Sequence, residues 1–506
     1  MNRVEHKPKL FMIILKVVVL ILCVQIMITN AKAETFYVAP NGVDQTNAGT
    51  QAQPWATISF AIDQVNDGAT IEVAPGTYNG RVRLDQQFSS TVTIRSTLPY
   101  QARLRHNGGA ALICFSCQGI IIEGFDIAHS TNNIGALLVQ IQTTNAATMA
   151  SNVILRNNII HDSTDNDLLR INNGAQNIVV ENNLFYNQSG SDEHIDINSV
   201  NNVVVQDNVF FNSTPQTITS SFIVIKDSNG NSDGILGSKD IDVKRNIFLN
   251  WQGNNGQSFV RVGEDGTANF EAERVLIENN LMIGNSNTLM RSAFTVQGSN
   301  DVNFRFNTIV GDLPSRNFAV RLLALGSNQN NNNIRLTNNI WSDPTASMGA
   351  EGFNGADVFE SPVGSNDSVI IDNNLYYNGG SEIPADTNQD VNLADDLNAL
   401  IADPKLPNQT NIILPVFSGN NFSGGFDSIR EVFEDFALNY GEPAADSIVI
   451  NRATSGDTPT DDLLGRIRDN DPDVGAVEVQ SVPANPTTPT DTSQSFISAL
   501  LLLLLD

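Results

Sequence analysis

Val153-Ile154-Leu155-Arg156-Asn157-Asn158-Ile159-Ile160 is a phrase that the chain repeats: an apolar strand, a polar pair ending in Asn, then an apolar pair. It returns as Val179-Val180-Glu181-Asn182-Asn183-Leu184-Phe185 and as Val204-Val205-Gln206-Asp207-Asn208-Val209-Phe210. Later copies centre on Asn246, Asn280, Asn307, Asn339 and Asn374, and a degenerate early copy runs from Ile121 to Ile127. Successive anchoring Asn residues lie 25, 25, 38, 34, 27, 32 and 35 positions apart. A fixed phrase with variable spacers describes stacked coils with loops inserted on one side. The phrase is rich in Val and Ile and carries no 3.6-residue stripe, so the coils are built of strands. Asn tolerates the left-handed turn conformation, so one Asn per coil at a fixed corner is expected. The reading is an all-β, right-handed parallel β-helix of about ten coils over residues 34–400. Asn158, Asn183, Asn208, Asn280 and Asn374 are expected to stack at one corner.

The flanks read differently. Arg3, Lys7 and Lys9 precede an apolar run from Leu10 to Ile28, and Ala31-Lys32-Ala33 follows as a small-x-small cleavage site. Residues 1–33 therefore read as a secretory signal peptide, with an uncleaved anchor as the alternative. Secretion, surface display or a periplasmic home follows from that reading, with no transmembrane segment after cleavage. Ala56–Asn66 has the apolar spacing of a short amphipathic cap helix. After about residue 400 the Asn phrase stops, and residues 401–478 read as a closure of the solenoid with one helix-like stretch at Ser428–Leu438. Residues 479–506 form a Pro/Thr linker and an apolar tail too short to span a bilayer.

Cleaving residues 1–33 would remove five basic residues and Glu5, taking the formal charge from −27 to −31. So acidic a chain excludes non-specific nucleic-acid binding. It also repels an acidic glycan at long range, which suits a salty medium. Cys114 and Cys117 lie in a strand-like stretch. Two stacked buried thiols are the first reading and a disulfide the second.

Substrates of such a solenoid lie across its outer face, where outward residues alternate with core residues. Leu168-Leu169-Arg170-Ile171, His194-Ile195-Asp196-Ile197, Phe222-Ile223-Val224-Ile225-Lys226 and Phe259-Val260-Arg261-Val262-Gly263-Glu264 are matching stretches of four coils. They are expected to bring Arg170, His194, Asp196, Lys226 and Arg261 to one face. Asp192, Glu193 and Asp196 have oxygen-ligand character suited to calcium.

Residues 222–285 resemble the active-site region of polysaccharide lyase family six, the alginate lyases and chondroitinase B. The resemblance rests on Lys226 ending an Ile-rich strand, then Leu249-Asn250-Trp251-Gln252-Gly253, then Val260-Arg261-Val262-Gly263, then Asn279-Asn280 through Gly284-Asn285. It implies Lys226 as the base and Arg261 as the stabiliser or proton donor of a uronate β-elimination. Arg170, His194, Asp196, Glu264 and Arg291 are the substrate contacts expected beside them. The chain departs from the family at two points. Ser221 and Thr219 stand where the calcium-binding members carry two Glu residues, and Val262 replaces a His. Calcium bound in the family manner is therefore not expected. The expectation is a monomeric, secreted lyase acting on an acidic polysaccharide such as alginate. Its rivals are a non-catalytic surface or matrix solenoid that binds glycan, and a uronate C5-epimerase or glycoside hydrolase on the same fold.

Overall fold

The computed structural model describes residues 34–480 except 131–134, 146, 165, 190–191, 214–220, 228–234, 254–256, 265, 287, 350–356, 385–387, 455 and 457. The expected signal segment, the apolar tail and Thr219 lie outside the described residues. Three parallel sheets run the length of a right-handed β-helix, and each full coil gives one strand to each sheet. The first sheet runs from Thr35–Val38 to Val369–Asp372, with twelve strands. The second runs from Val82–Leu84 to Asp357–Glu360, with ten. The third runs from Gly76–Asn79 to Leu400–Ile401, with twelve.

Alternation along each strand sends every second side chain inward. Val153, Ile178, Val203, Ile241, Val275 and Val302 fall in register on the first sheet and are all buried. Phe185, Phe210 and Phe248 stack face to face on the third, with centroids 5.0 and 4.9 Å apart. Full burial of such a side chain contributes roughly 1.5–3 kcal/mol, so register is fixed by many equal contributions along one core.

The anchoring Asn residues form a buried amide ladder. Asn158 donates from its backbone N–H (2.9 Å) and its Nδ2 (3.1 Å) to Oδ1 of Asn183. The pattern repeats through Asn208, Asn246, Asn280, Asn307, Asn339 and Asn374, each with no exposed surface. Each Nδ2 also donates to a main-chain carbonyl, as Asn183 does to Leu155 at 2.8 Å. Asp396, a pure acceptor, ends the ladder by taking Nδ2 of Asn374 at 2.9 Å. One expectation is corrected here: the left-handed residue is the one before each ladder Asn. Asn157, Asn182, Asp207, Arg245, Asn279, Phe306, Asn338 and Asn373 have φ between 50° and 58°. The turn is made by that residue, and the next one is thereby aimed along the core axis.

The cap helix is Ile58–Ile62, with Thr57 Oγ1 accepting from the Phe60 N–H at 3.2 Å. At the other end Val391 packs onto the core with Ile383, Leu393 and Ala399 against it. Residues 401–478, read from the sequence as the closure, run back along the flank of the third sheet. Helix Ile429–Phe436 buries Ile429, Val432, Phe433 and Phe436 against a cluster that includes Ile159, Leu184, Val209, Ile247 and Leu281. Gly475, at φ 98°, donates to the Asn338 carbonyl at 3.0 Å, and a Cβ there would lie 2.5 Å from the Ile340 side chain. Cys114 and Cys117 are joined as a disulfide, which corrects the first reading of two free thiols. Ser116, at φ 51°, turns the chain between them and brings their Cα atoms to 5.3 Å. Among the described residues no helix is long and apolar enough to cross a membrane.

Candidate functional site

The outer face of the second sheet carries the chain's charged convergence. Strands Leu169–Asn172, Ile195–Asn198, Ile223–Lys226, Val260–Val262, Phe294–Gln297, Asn317–Leu323 and Asp357–Glu360 follow one another in it. Register places Arg170, Asp196, Val224, Arg261, Thr295, Arg321 and Glu360 in one outward row. A second row, two positions on, holds Asn172, Asn198 and Lys226. Asp196, Asn198, Val224, Thr295 and Gln297 point outward yet are buried, so the face is recessed.

Lys226 and Arg261 meet on one carboxylate. Lys226 Nζ lies 2.5 Å from Glu264 Oε2, and Arg261 Nη1 lies 2.9 Å from Glu264 Oε1. Arg261 also donates to Oε1 of Gln297 at 3.1 Å, and Gln297 Nε2 donates to the Glu264 carbonyl at 2.8 Å. Gly263, at φ 89°, permits this turn; a Cβ there would lie 1.8 Å from the Gln297 carbonyl oxygen. The two cations hold the Glu264 carboxyl below its ordinary range even though burial pushes it up.

Neighbouring cations would lower a lysine's pKa, but the charges that surround Lys226 are of the opposite sign. Burial pulls the Lys226 ammonium down, but Asp196, Glu264 and Glu193 outweigh it and hold it well above the ordinary lysine range. The nearest charges are carboxylates, Glu264 first and Asp196 at 3.9 Å. In this arrangement Lys226 is an ammonium.

Two coils before Lys226, Arg170 reaches Asp167 Oδ2 at 2.5 Å and Asp196 Oδ2 at 3.0 Å. Asp196 also accepts from Asn198 Nδ2 at 2.9 Å. The acids Asp167, Asp192 and Glu193 place one carboxylate oxygen each within 4.8 Å of one another. This is the set that can hold a cation. Asp196, named with Asp192 and Glu193 from the sequence, faces Arg170 and Lys226 instead. Burial, with Asp196 nearby, raises the Asp167 carboxyl to about 7, and burial with Asp167 nearby raises Glu193 well above its range. Among the described residues no hydrogen bond reaches the carboxylate of Glu193, which is 4% exposed. Asp167 was not among the cation ligands named from the sequence, although with Asp165, Asp192 and Asp196 it offered carboxylates for the rival hydrolase reading. It stands 25 positions before Asp192, the same interval that separates Asn158 from Asn183. That interval was the available signal.

His194 is a correction. Its imidazole is fully buried, with Nε2 3.0 Å from Asn212 Oδ1 and its ring 4.6 Å from that of Phe222. It occupies the corner before the strand, where the neighbouring coils place Leu168 and Phe222, and it faces the core. Burial lowers it to about 3, so it is neutral and closed to substrate. Arg291 lies apart from the Lys226–Arg261 pair, held by Glu360 at 2.5 and 2.7 Å. Ser221, where the lyase family carries a Glu, is fully buried.

Comparison with known proteins gives the fold and little more. A family model described as a protein of unknown function (DUF1565) matches residues 40–93, the opening coils. No curated protein matches the chain. Among solved structures, pectate lyase Pel9A overlays with a TM-score of 0.53 at 14% identity, over 89% of this chain and 97% of its own. XylC in complex with xylose overlays with a TM-score of 0.50 at 13% identity, over 88% and 98%. An alginate lyase from Paenibacillus sp. str. FPU-7 overlays at 0.36 and 17% identity, over 55% and 92%. The chain thus shares the right-handed parallel β-helix fold of pectate lyase Pel9A and XylC.

Proposed function

We propose that the protein is a secreted polysaccharide lyase that cleaves an acidic, uronate-containing polymer by β-elimination. One observation carries the reading: Lys226 and Arg261, from adjacent coils, converge on Glu264 in a recessed face. Likeness of fold to a pectate lyase agrees with it, and the Cys114–Cys117 disulfide supports an oxidising compartment.

Lys226, as the free amine, takes the proton on the carbon beside the uronate carboxylate. The electron pair left behind forms the new carbon–carbon double bond, and the glycosidic carbon–oxygen bond breaks. The leaving oxygen takes a proton from the Lys226 ammonium, from Arg261 or from water. Arg261 faces the negative charge that grows on the substrate carboxylate. Asp167, Asp192 and Glu193 fit a hard divalent cation such as calcium. They are oxygen donors, close together, and costly to keep ionised side by side without a counter-charge. When bound, such an ion would neutralise the substrate carboxylate and acidify the adjacent carbon. Without it, Glu193 adds to the field of Asp196 and Glu264 that keeps Lys226 protonated.

The test is incubation with polygalacturonate, alginate and chondroitin, with calcium or with chelator, read at the ultraviolet band of the unsaturated product. Turnover with calcium on at least one polymer is expected. Lys226→Ala should reduce it roughly a thousandfold and Arg261→Ala roughly a hundredfold, with folding intact. Lys239→Ala, whose ammonium pairs with Glu273 away from the face, should change little. A flat band on all three polymers removes the lyase reading; new reducing ends without the band would make the protein a hydrolase.

A further inference from the structure

The C-terminal end of the same face holds two guanidiniums that the chemistry above does not use. Arg321 is in register with Arg261 through Thr295. The two therefore rise from the same side of the sheet two coils apart, roughly 10 Å along the axis. Arg291 grips Glu360 with both Nε (2.7 Å) and Nη2 (2.5 Å), and Arg321 Nε reaches the same Oε2 at 2.7 Å. The side chains of Arg291, Arg321 and Glu360 are 14, 16 and 19% exposed. A bidentate guanidinium fork joined by a second guanidinium is the geometry that selects a carboxylate.

We propose that Arg291 and Arg321 form an anion subsite for a second uronate carboxylate of the polymer, with Glu360 occupying that place when no polymer is bound. The inference rests on the reading of this face as a polyuronate groove, and it adds the substrate class. Acids for a cation stand at the Asp167–Asp196 end, the Lys226–Arg261 pair in the middle, and the arginines at the far end. A chain lying along the axis from Asp196 to Arg321 crosses four coil spacings, roughly 19 Å. It meets cationic partners at Lys226, Arg261 and Arg321, which favours a polymer with carboxylates spaced roughly 10 Å or closer over a neutral one.

Here burial, with Arg291 and Arg261 nearby, pulls the Arg321 guanidinium down to about 10 despite Glu360. Arg261, Arg291 and Arg321 thus crowd positive charge locally in a chain of formal charge −27.

The test is binding in the Lys226→Ala background, which holds substrate without consuming it. Calorimetry with polygalacturonate and polymannuronate oligomers, with chondroitin oligomers and with neutral dextran gives the affinities. Arg321→Gln and Arg291→Gln should each weaken homopolyuronate binding roughly tenfold. Glu360→Gln, which frees the arginines, should tighten it. Dextran should not bind. Because the variants act in opposite directions, a general loss of folding cannot imitate the result. Unchanged affinity in all three variants, or no binding of any acidic oligomer, overturns the subsite. Arginine-dependent binding in a parent that gives no ultraviolet product would keep the subsite and remove the lyase chemistry. Turnover by the parent with arginine-independent binding would do the reverse.

Discussion

At the scale of the residue, the decisive quantity is the protonation of Lys226. A base must be uncharged when it acts, and this lysine sits between carboxylates that hold it charged. Turnover is therefore expected to climb with pH into the alkaline range. Glu264→Gln removes the closest negative charge, so the rising limb should move to lower pH by about one unit or more. A limb that stays in place, or moves up, would show that it does not belong to Lys226. The chain made this part of the site legible because Arg170, Lys226 and Arg261 are scarce cations on one face within four consecutive coils. Their carboxylate partners were less legible. Glu264 follows Arg261 by three positions across a turn at Gly263, and its reach to Lys226 exists only in the folded chain. His194 was read outward because polar residues usually are, whereas its corner position faces the aromatic core.

At the scale of the element, the amide ladder sets the corner of each coil. Every ladder Asn satisfies its neighbours' main-chain and side-chain groups in a fully buried site, so truncating one leaves several buried groups unpaired. Asn208→Ala should cost about 3 kcal/mol, read as a lowered denaturant midpoint. Asn201→Ser, on the exposed side of the same coil, should stay within about 0.5 kcal/mol of the parent. Equal effects of the two would mean that the ladder adds nothing beyond shape. The ladder could be read in advance because one residue type recurs at one place in the phrase. The left-handed position before it could not, since Asn, Asp, Arg and Phe all fill it. Local strain there is outweighed by the ladder and core that follow, so no single residue type is enforced.

At the scale of the whole molecule, coil stacking follows from the repeat, but the path of residues 401–478 does not. Nothing in that segment's composition tells an end cap from a flank, and only the apolar outer row of the third sheet, from Ile159 to Leu281, draws it alongside. Charge is the other global property, and it opposes the proposed function. A chain of −27 repels a polyanion at long range, while the proposed groove would bind one through Lys226, Arg261, Arg291 and Arg321 at short range. Salt acts on both with different reach. At about 0.1 M the screening length is roughly 10 Å, shorter than the span of the solenoid but longer than an ion pair. At about 1 M it is roughly 3 Å, short enough to weaken the pairs themselves. KM for a long polyuronate should therefore fall as salt is first added and rise again at high salt, passing through a minimum. A short oligomer, which feels the groove more than the outer surface, should show mainly the rise. Steady-state kinetics over a sodium chloride series with both substrates measures this. A KM that rises from the lowest salt for the polymer as well would mean that the groove's local field outweighs the charge of the rest of the molecule at every distance.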